Sequence, residues 1–256
     1  MITTLTVVVV HLLALTFLFE PLQVNNYAQI FESIANFNVT FDQPLLERLV
    51  AFIQPETPNA PSALSIMSRL PVYMRNPDPY IMEIGVAYIK MCDIVQRIRS
   101  FLDQLPTSNS DSFSSPLTLQ KAQLLAQYAT MLTMLLVLNA LLRLFDPDNP
   151  VLRSETHSNC EQILLEAQAA YCYRPLGAAY FAVCLVVALA ISDDSEQIVR
   201  IKKVLADYQA DFRHAGCKNQ SVHLARILDY HRTRLRAGAG ALVKRQSEES
   251  EACCMM

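Results

Sequence analysis

Residues Arg174–Ser192 read RPLGAAYFAVCLVVALAIS, with no charge between Arg174 and Asp193. Pro175 has a fixed φ and no N–H to lose, which suits the first turn of a helix. From Leu176 to Ile191 nearly every residue is apolar, so the helix has no polar face to turn toward water. Such a helix belongs in the centre of a bundle or in a bilayer. A bilayer asks for about 20 apolar residues, more than this run supplies. The expectation is a central core helix wrapped by the others. Ser192-Asp193-Asp194-Ser195 closes it, placing capping and acidic residues at the positive end of the next helix.

The rest of the chain agrees with that class. Hydrophobic residues make up 52% and charged residues 18% of 256, which excludes a disordered chain and supplies ample core. Five Gly and long Leu/Ala-rich stretches favour helices over hairpins. The expected fold is all-α: an irregular helical bundle around one or two fully apolar central helices. A formal charge of −3 argues against general polyanion binding. The seven Cys include no C-x₂-C pair, so neither a zinc ribbon nor a zinc cluster is present. Cys92, Cys160, Cys172 and Cys184 sit in apolar helical patterns, as free thiols of a reducing compartment do.

On the N-terminal side, Ile2–Phe19 is apolar apart from threonines and His11, and three readings compete: a buried helix, a signal peptide and a membrane anchor. Leu45, Leu49, Phe52 and Ile53 share one face of a short amphipathic helix after Pro44. Residues 1–53 form the first segment. QPETPNAP at 54–61 and RLPVYMRNPDP at 69–79 carry three Pro each, and 54–79 reads as a Pro-rich linker with an extended surface end. Residues 80–237 form the helical domain, and 238–256 a disordered tail.

Within that domain, Tyr80–Leu105 is a long helix with Ile84, Tyr88, Met91, Val95 and Ile98 on its inner stripe. Residues 106–115, PTSNSDSFSS, read as a flexible insertion. Leu117–Phe145 is a second buried helix, almost wholly apolar from Met131 to Leu142. DPDNP at 146–150 is a turn. A helix beginning near Val151 runs to Tyr173 with Ile163, Leu164, Ala167 and Tyr171 inward. Glu196–Phe212 and Ser221–Leu235 complete the set.

Candidate chemistry is sparse. The chain contains no G-x-S-x-G, G-x-G-x-x-G or phosphate loop. His214, His223 and His231, with Cys217, fall in one basic region, but no carboxylate pair or second thiol completes a metal site, and they read as exposed helix residues. Arg226, Arg232, Arg234 and Arg236 read as a solvated face rather than a phosphate surface. Asp193-Asp194 reads as a cap; a prenyl-diphosphate enzyme would need a second acidic motif to answer it. Cys253-Cys254-Met255-Met256 fits C-a-a-X of the farnesyl type, making Cys253 a candidate lipidation site. The expectation is a protein with no catalytic residue, metal or cofactor.

One constellation points to a family. Tyr128, Asn139-Ala-Leu-Leu-Arg143, Asp146-Pro147, Cys160-Glu-Gln-Ile-Leu164, Tyr173-Arg-Pro-Leu-Gly-Ala178, Leu189 and Asp193-Asp194 resemble the C-terminal half of the regulatory region of fungal binuclear zinc-cluster transcription factors. A Cys-containing helix there runs into an R-P-(L/F)-G corner and an apolar helix. Here the corner is Arg174, Pro175, Leu176 and Gly177, a structural motif, and the resemblance covers roughly 80–215. It implies a nucleus-located regulator, often of metabolic or secondary-metabolite gene clusters. The six-cysteine DNA-reading cluster is missing, so direct DNA binding is not expected. The resemblance then implies a truncated relative, or a fragment of a longer factor, working by protein contacts with a full-length zinc-cluster factor or with itself. The alternative is a membrane-associated helical protein, held by residues 2–19 or by a lipid on Cys253.

Overall fold

The structure is a computed structural model, and it describes residues 63–104, 116–174, 178, 180–211, 221–222 and 224–237. Among these residues the chain forms seven α-helices and no strand, the all-α architecture its periodicity predicts. The helices are α1 (Ala63–Arg75), α2 (Ile81–Gln104), α3 (Pro116–Leu142), α4 (Pro150–Ala169), α5 (Phe181–Ile191), α6 (Ser195–Asp211) and α7 (residues 224–237). Short 3₁₀ turns, Asp78–Tyr80 and Ala170–Tyr173, lead into α2 and follow α4.

Two helices lie at the centre. α3 packs against α1, α2, α4 and α5. Its stretch Leu124–Leu142 is long and apolar enough to cross a membrane, yet 94% of it is buried in the bundle. α5 packs against α3, α4 and α6, and every residue from Phe181 to Ala188 is buried. Its eleven residues span about 16 Å, half of a bilayer's roughly 30 Å hydrocarbon core. One continuous apolar core joins all seven helices, reaching from Ile66 and Leu70 on α1 to Leu224 and Leu228 on α7.

The helix ends follow local chemistry. Asn149 caps α4: its Oδ1 accepts from the N–H groups of Val151 (3.1 Å) and Leu152 (3.2 Å), with Pro150 at the first helical position. Asp194 caps α6 in the same way, accepting from Glu196 (2.9 Å) and Gln197 (3.2 Å). Those N–H groups hold the Asp194 carboxyl below its ordinary range. On α3, Thr130 and Thr133 donate back to Ala126 O and Ala129 O, which lets two hydroxyls lie buried in an apolar helix.

The sequence expectations need two corrections here. Residues 63–75 are not an extended linker but helix α1, and Pro71 lies inside it, itself buried. Ile66, Leu70, Tyr73 and Met74 repeat at helical spacing and bury against α2 and α3. That burial outweighs the one helical hydrogen bond Pro71 cannot make. Second, the central apolar helix starts at Phe181 rather than at Pro175. Arg174 is extended (φ −67°, ψ 154°), as a residue before proline prefers. The Phe181 N–H bonds to Ala178 O as a turn before regular helix begins. Readings placed on residues 1–62, 105–115, 175–177, 212–220, 223 and 238–256, His214, Cys217 and His223 among them, lie outside the described residues.

Candidate functional site

Several polar residues form a chain of contacts across α2, α3 and α4 to the corner between α5 and α6. Asn139, fully buried on α3, donates through Nδ2 to Leu152 O (3.1 Å) and Tyr88 Oη (3.3 Å). Its Oδ1 accepts from Thr156 Oγ1 at 2.7 Å. Tyr88 in turn donates to the Glu155 carboxylate. Burial and that carboxylate push the Tyr88 hydroxyl well above its ordinary pKa. Arg143 reaches Thr156 Oγ1 (3.3 Å) and pairs with Asp193 at the α5–α6 corner. So Asn139, Arg143 and Asp193, all part of the family-like constellation, come together as fasteners between helices. Asn139 Oδ1 and Asp193 Oδ2 are both engaged by neighbouring protein groups, while the Asp193 side chain remains open to solvent.

Arg174 lies at the opposite end of α5. Its guanidinium grips the Asp211 carboxylate with two bonds, Nε to Oδ2 at 2.5 Å and Nη2 to Oδ1 at 2.8 Å, and donates to Asp207 O. It also stacks on the rings of Tyr171 (4.9 Å) and Tyr208 (5.1 Å). A cation there satisfies carbonyls at the C-terminal end of α6. Tyr171 Oη donates to Asp207 at 2.9 Å, and burial followed by that contact raises its pKa to about 12. Beside this clasp, Gln168, Arg200, Lys203 and Val204 line a shallow depression of about 520 Å³ that opens widely to solvent. Pro175, Leu176, Gly177 and Cys253 are outside the described residues.

Three of the described thiols are held away from reactivity, whereas Cys172 is free and exposed. Cys160 and Cys184 are buried, and desolvation pushes both to about 12. Burial likewise raises Cys92. A thiol so shifted carries almost no thiolate near neutral pH. Among the described residues no three of His, Cys, Asp and Glu gather in a way that could hold a metal ion.

His231 corrects an expectation. It is not an exposed helix residue: it is 2% exposed, and its Nε2 lies 2.7 Å from Met74 O. Facing a carbonyl, that nitrogen carries the proton, while the buried Nδ1 has no partner. Asp78 and Arg234 pair with each other beside it, and the Tyr230 ring meets it edge-on. Burial lowers the His231 pKa below its ordinary value. The neutral ring is therefore the folded form, and the unfolded chain takes up a proton first as pH falls through about 6.5. Stability present above that pH is lost as pH drops toward the folded-state pKa. Urea midpoints measured between pH 7.5 and 5.5 are expected to fall more steeply for the native chain than for His231→Asn.

The basic face of α7 is partly spent on such ties. Arg234 pairs with Asp78 at 2.6 Å and Arg232 with Asp229 at 2.7 Å. His157 is exposed on α4, 3.3 Å from Asp194.

The feature with no internal purpose is on α2. Met82, Val86 and Ile89 are 80%, 55% and 66% exposed and recur at i, i+4 and i+7. They point away from the packed stripe Ile84, Tyr88, Met91 and Val95. Gly85 lies within this outer stripe, and a Cβ built on it meets nothing within 4 Å among the described residues. A mid-helix glycine costs about 1 kcal/mol relative to alanine, and no contact inside the bundle explains it. The other large exposed apolar residues, Val151, Leu165, Val199, Val222 and Tyr230, make no such row on their helices. The periodic pattern could have exposed the stripe in the sequence, had the outer face of the helix been read as well as its inner one.

Neither a protein-family model, nor a curated protein, nor a solved structure matches this chain.

Proposed function

We propose that this chain is a helical regulatory module acting through protein contacts, in the manner of the fungal zinc-cluster regulatory regions that its Arg174–Gly177 corner resembles. Its setting is transcriptional control in the nucleus, without a DNA-reading element in this sequence. The observation that carries the protein-contact reading is the stripe Met82, Val86 and Ile89, an unpartnered apolar row on a rigidly packed helix. The interior supports the same reading from another side. Buried polar groups such as Asn139 and Thr156 fasten helices to one another, the Cys92, Cys160 and Cys184 thiols are shifted away from the thiolate, and the core is filled by large apolar side chains. Such a body presents surfaces rather than chemistry.

The test is genetic and structural together. Deleting the gene is expected to change transcript levels, and the native chain to restore them. Met82→Glu with Ile89→Glu is expected to keep native helicity yet fail to restore. Full restoration by that variant would remove the stripe from the function. Extraction of tagged chain only with detergent would replace the nuclear setting with the membrane-anchored alternative.

A further inference from the structure

We infer that α7 is an acid-released latch. At neutral pH it is docked through His231 on the corner between α1 and α2; when His231 takes up a proton, α7 leaves that corner while the rest of the bundle stays folded.

The latch is made of few parts. Leu224, Leu228 and His231 recur at i, i+4 and i+7 and are all buried, so the ring completes the inner row of α7. Its Nε2 meets Met74 O at the end of α1, and its Nδ1 is buried with no acceptor. Arg234, one turn further on, ties the helix to the same corner: Nη1 donates to Asn76 Oδ1 at 3.3 Å and Nη2 to Asp78 Oδ1 at 2.6 Å. Its Nε is buried without a partner. Among the described residues two charges act on the ring, Arg234 on its own helix and Asp78 on the turn that leads into α2. From α1 the ring receives a carbonyl, and Arg75 at the end of that helix is exposed. On α7 itself Arg226, Asp229 and Arg236 are exposed, and Arg232 pairs with Asp229.

Protonation undoes this arrangement from within. The added proton goes to Nδ1, where no acceptor waits, and it sets a cation beside Arg234. Asp78, the carboxylate at hand, already holds Arg234. Water serves the charged ring better than this site does, and the ring cannot reach water without lifting the helix that carries it. An undocked ring titrates at about 6.5, and the docked one lower. The undocked form therefore binds more protons below that pH, and its share rises by at most about tenfold per pH unit. The opening is local because α7 buries one row and turns Val222, Arg226, Asp229 and Tyr230 to solvent, whereas α5 is enclosed from Phe181 to Ala188. Elements with the fewest buried contacts open first. Release uncovers the apolar row of α7 and the surface around Met74 that it covered.

Amide hydrogen exchange of the full chain at pH 7.5 and 5.5 tests the release, each rate being corrected for its intrinsic value at that pH. Amides of 224–237 are expected to be less protected than those of Phe181–Ile191 at both pH values, and to lose up to about tenfold in protection on acidification. Their opening is expected to respond little to low urea, which acts in proportion to the surface exposed. His231→Gln keeps an N–H for Met74 O but has no group to titrate, and its α7 protection is expected to stay level across the range. One protection level and one urea slope shared by α7 and α5 overturns the release, since α7 then opens only with the whole bundle. An equal loss in the His231→Gln chain overturns it too, by removing His231 as the trigger. Should that variant not fold, the native chain still decides: unchanged α7 protection at pH 5.5 sinks the latch.

Discussion

Phe181→Ala is expected to destabilise the bundle by about 3–5 kcal/mol, the range for emptying an aromatic site in a core. Phe181 is fully buried. Its ring centroid lies 4.6 Å from that of Tyr180 and 6.2 Å from that of Tyr208, so it fills the space where α5 meets α6. Against a total stability of roughly 5–15 kcal/mol, such a loss is a large fraction. It would be read as a fall in urea midpoint at an unchanged slope. A loss under about 1 kcal/mol would mean that α5 is not enclosed by protein, because a ring facing solvent or lipid leaves no cavity behind.

Asn139→Ala is expected to cost about 2–4 kcal/mol for a different reason. The side chain has three partners, and its removal takes one bond each from Leu152 O, Tyr88 Oη and the Thr156 hydroxyl, the last still bonded to Leu152 O. Each hydrogen bond lost there costs about 0.5–1.5 kcal/mol. The companion variant carrying Asn139→Leu and Thr156→Val removes donor and acceptor together. It is expected to recover part of that loss, so the two sites should be non-additive in a double-mutant cycle. Simple additivity would show that the contact contributes little. Thr156 also bonds Arg143 and the Leu152 carbonyl, so the recovery is partial.

Much of this architecture is legible in the chain. Apolar runs at 131–142 and 181–191 announce the two central helices, because a helix without a polar face has nowhere to go but inward. The Asp194 cap and the break at 146–150 are equally plain, since their chemistry is local. What stays hidden is decided at long range. Pro71 marks a loop by composition, yet the row Ile66, Leu70, Tyr73, Met74 finds a surface on α2 and α3 that makes helix the better state. His231 sits among four arginines and reads as solvated. Its burial depends on Met74, which the fold brings to it from another part of the chain. The family-like constellation names Asn139, Arg143 and Asp193 without showing why they occur together. Only the packing of α3, α4 and the α5–α6 corner turns three separated letters into one fastening.

The all-round burial of α5 has a consequence for how the bundle finds a unique form. A cylinder that is equally greasy on every side has no preferred rotational phase, and oil-like packing alone would accept it at several angles. Its index marks are at its two ends. At one, Arg174 is locked to Asp211; at the other, Ser192 donates to Gln197, whose amide donates to His157 O. A core tolerant of rearrangement gives up uniqueness before it gives up compactness. Cutting both end marks should therefore blur α5 into a set of near-equivalent rotations inside a bundle that is still closed.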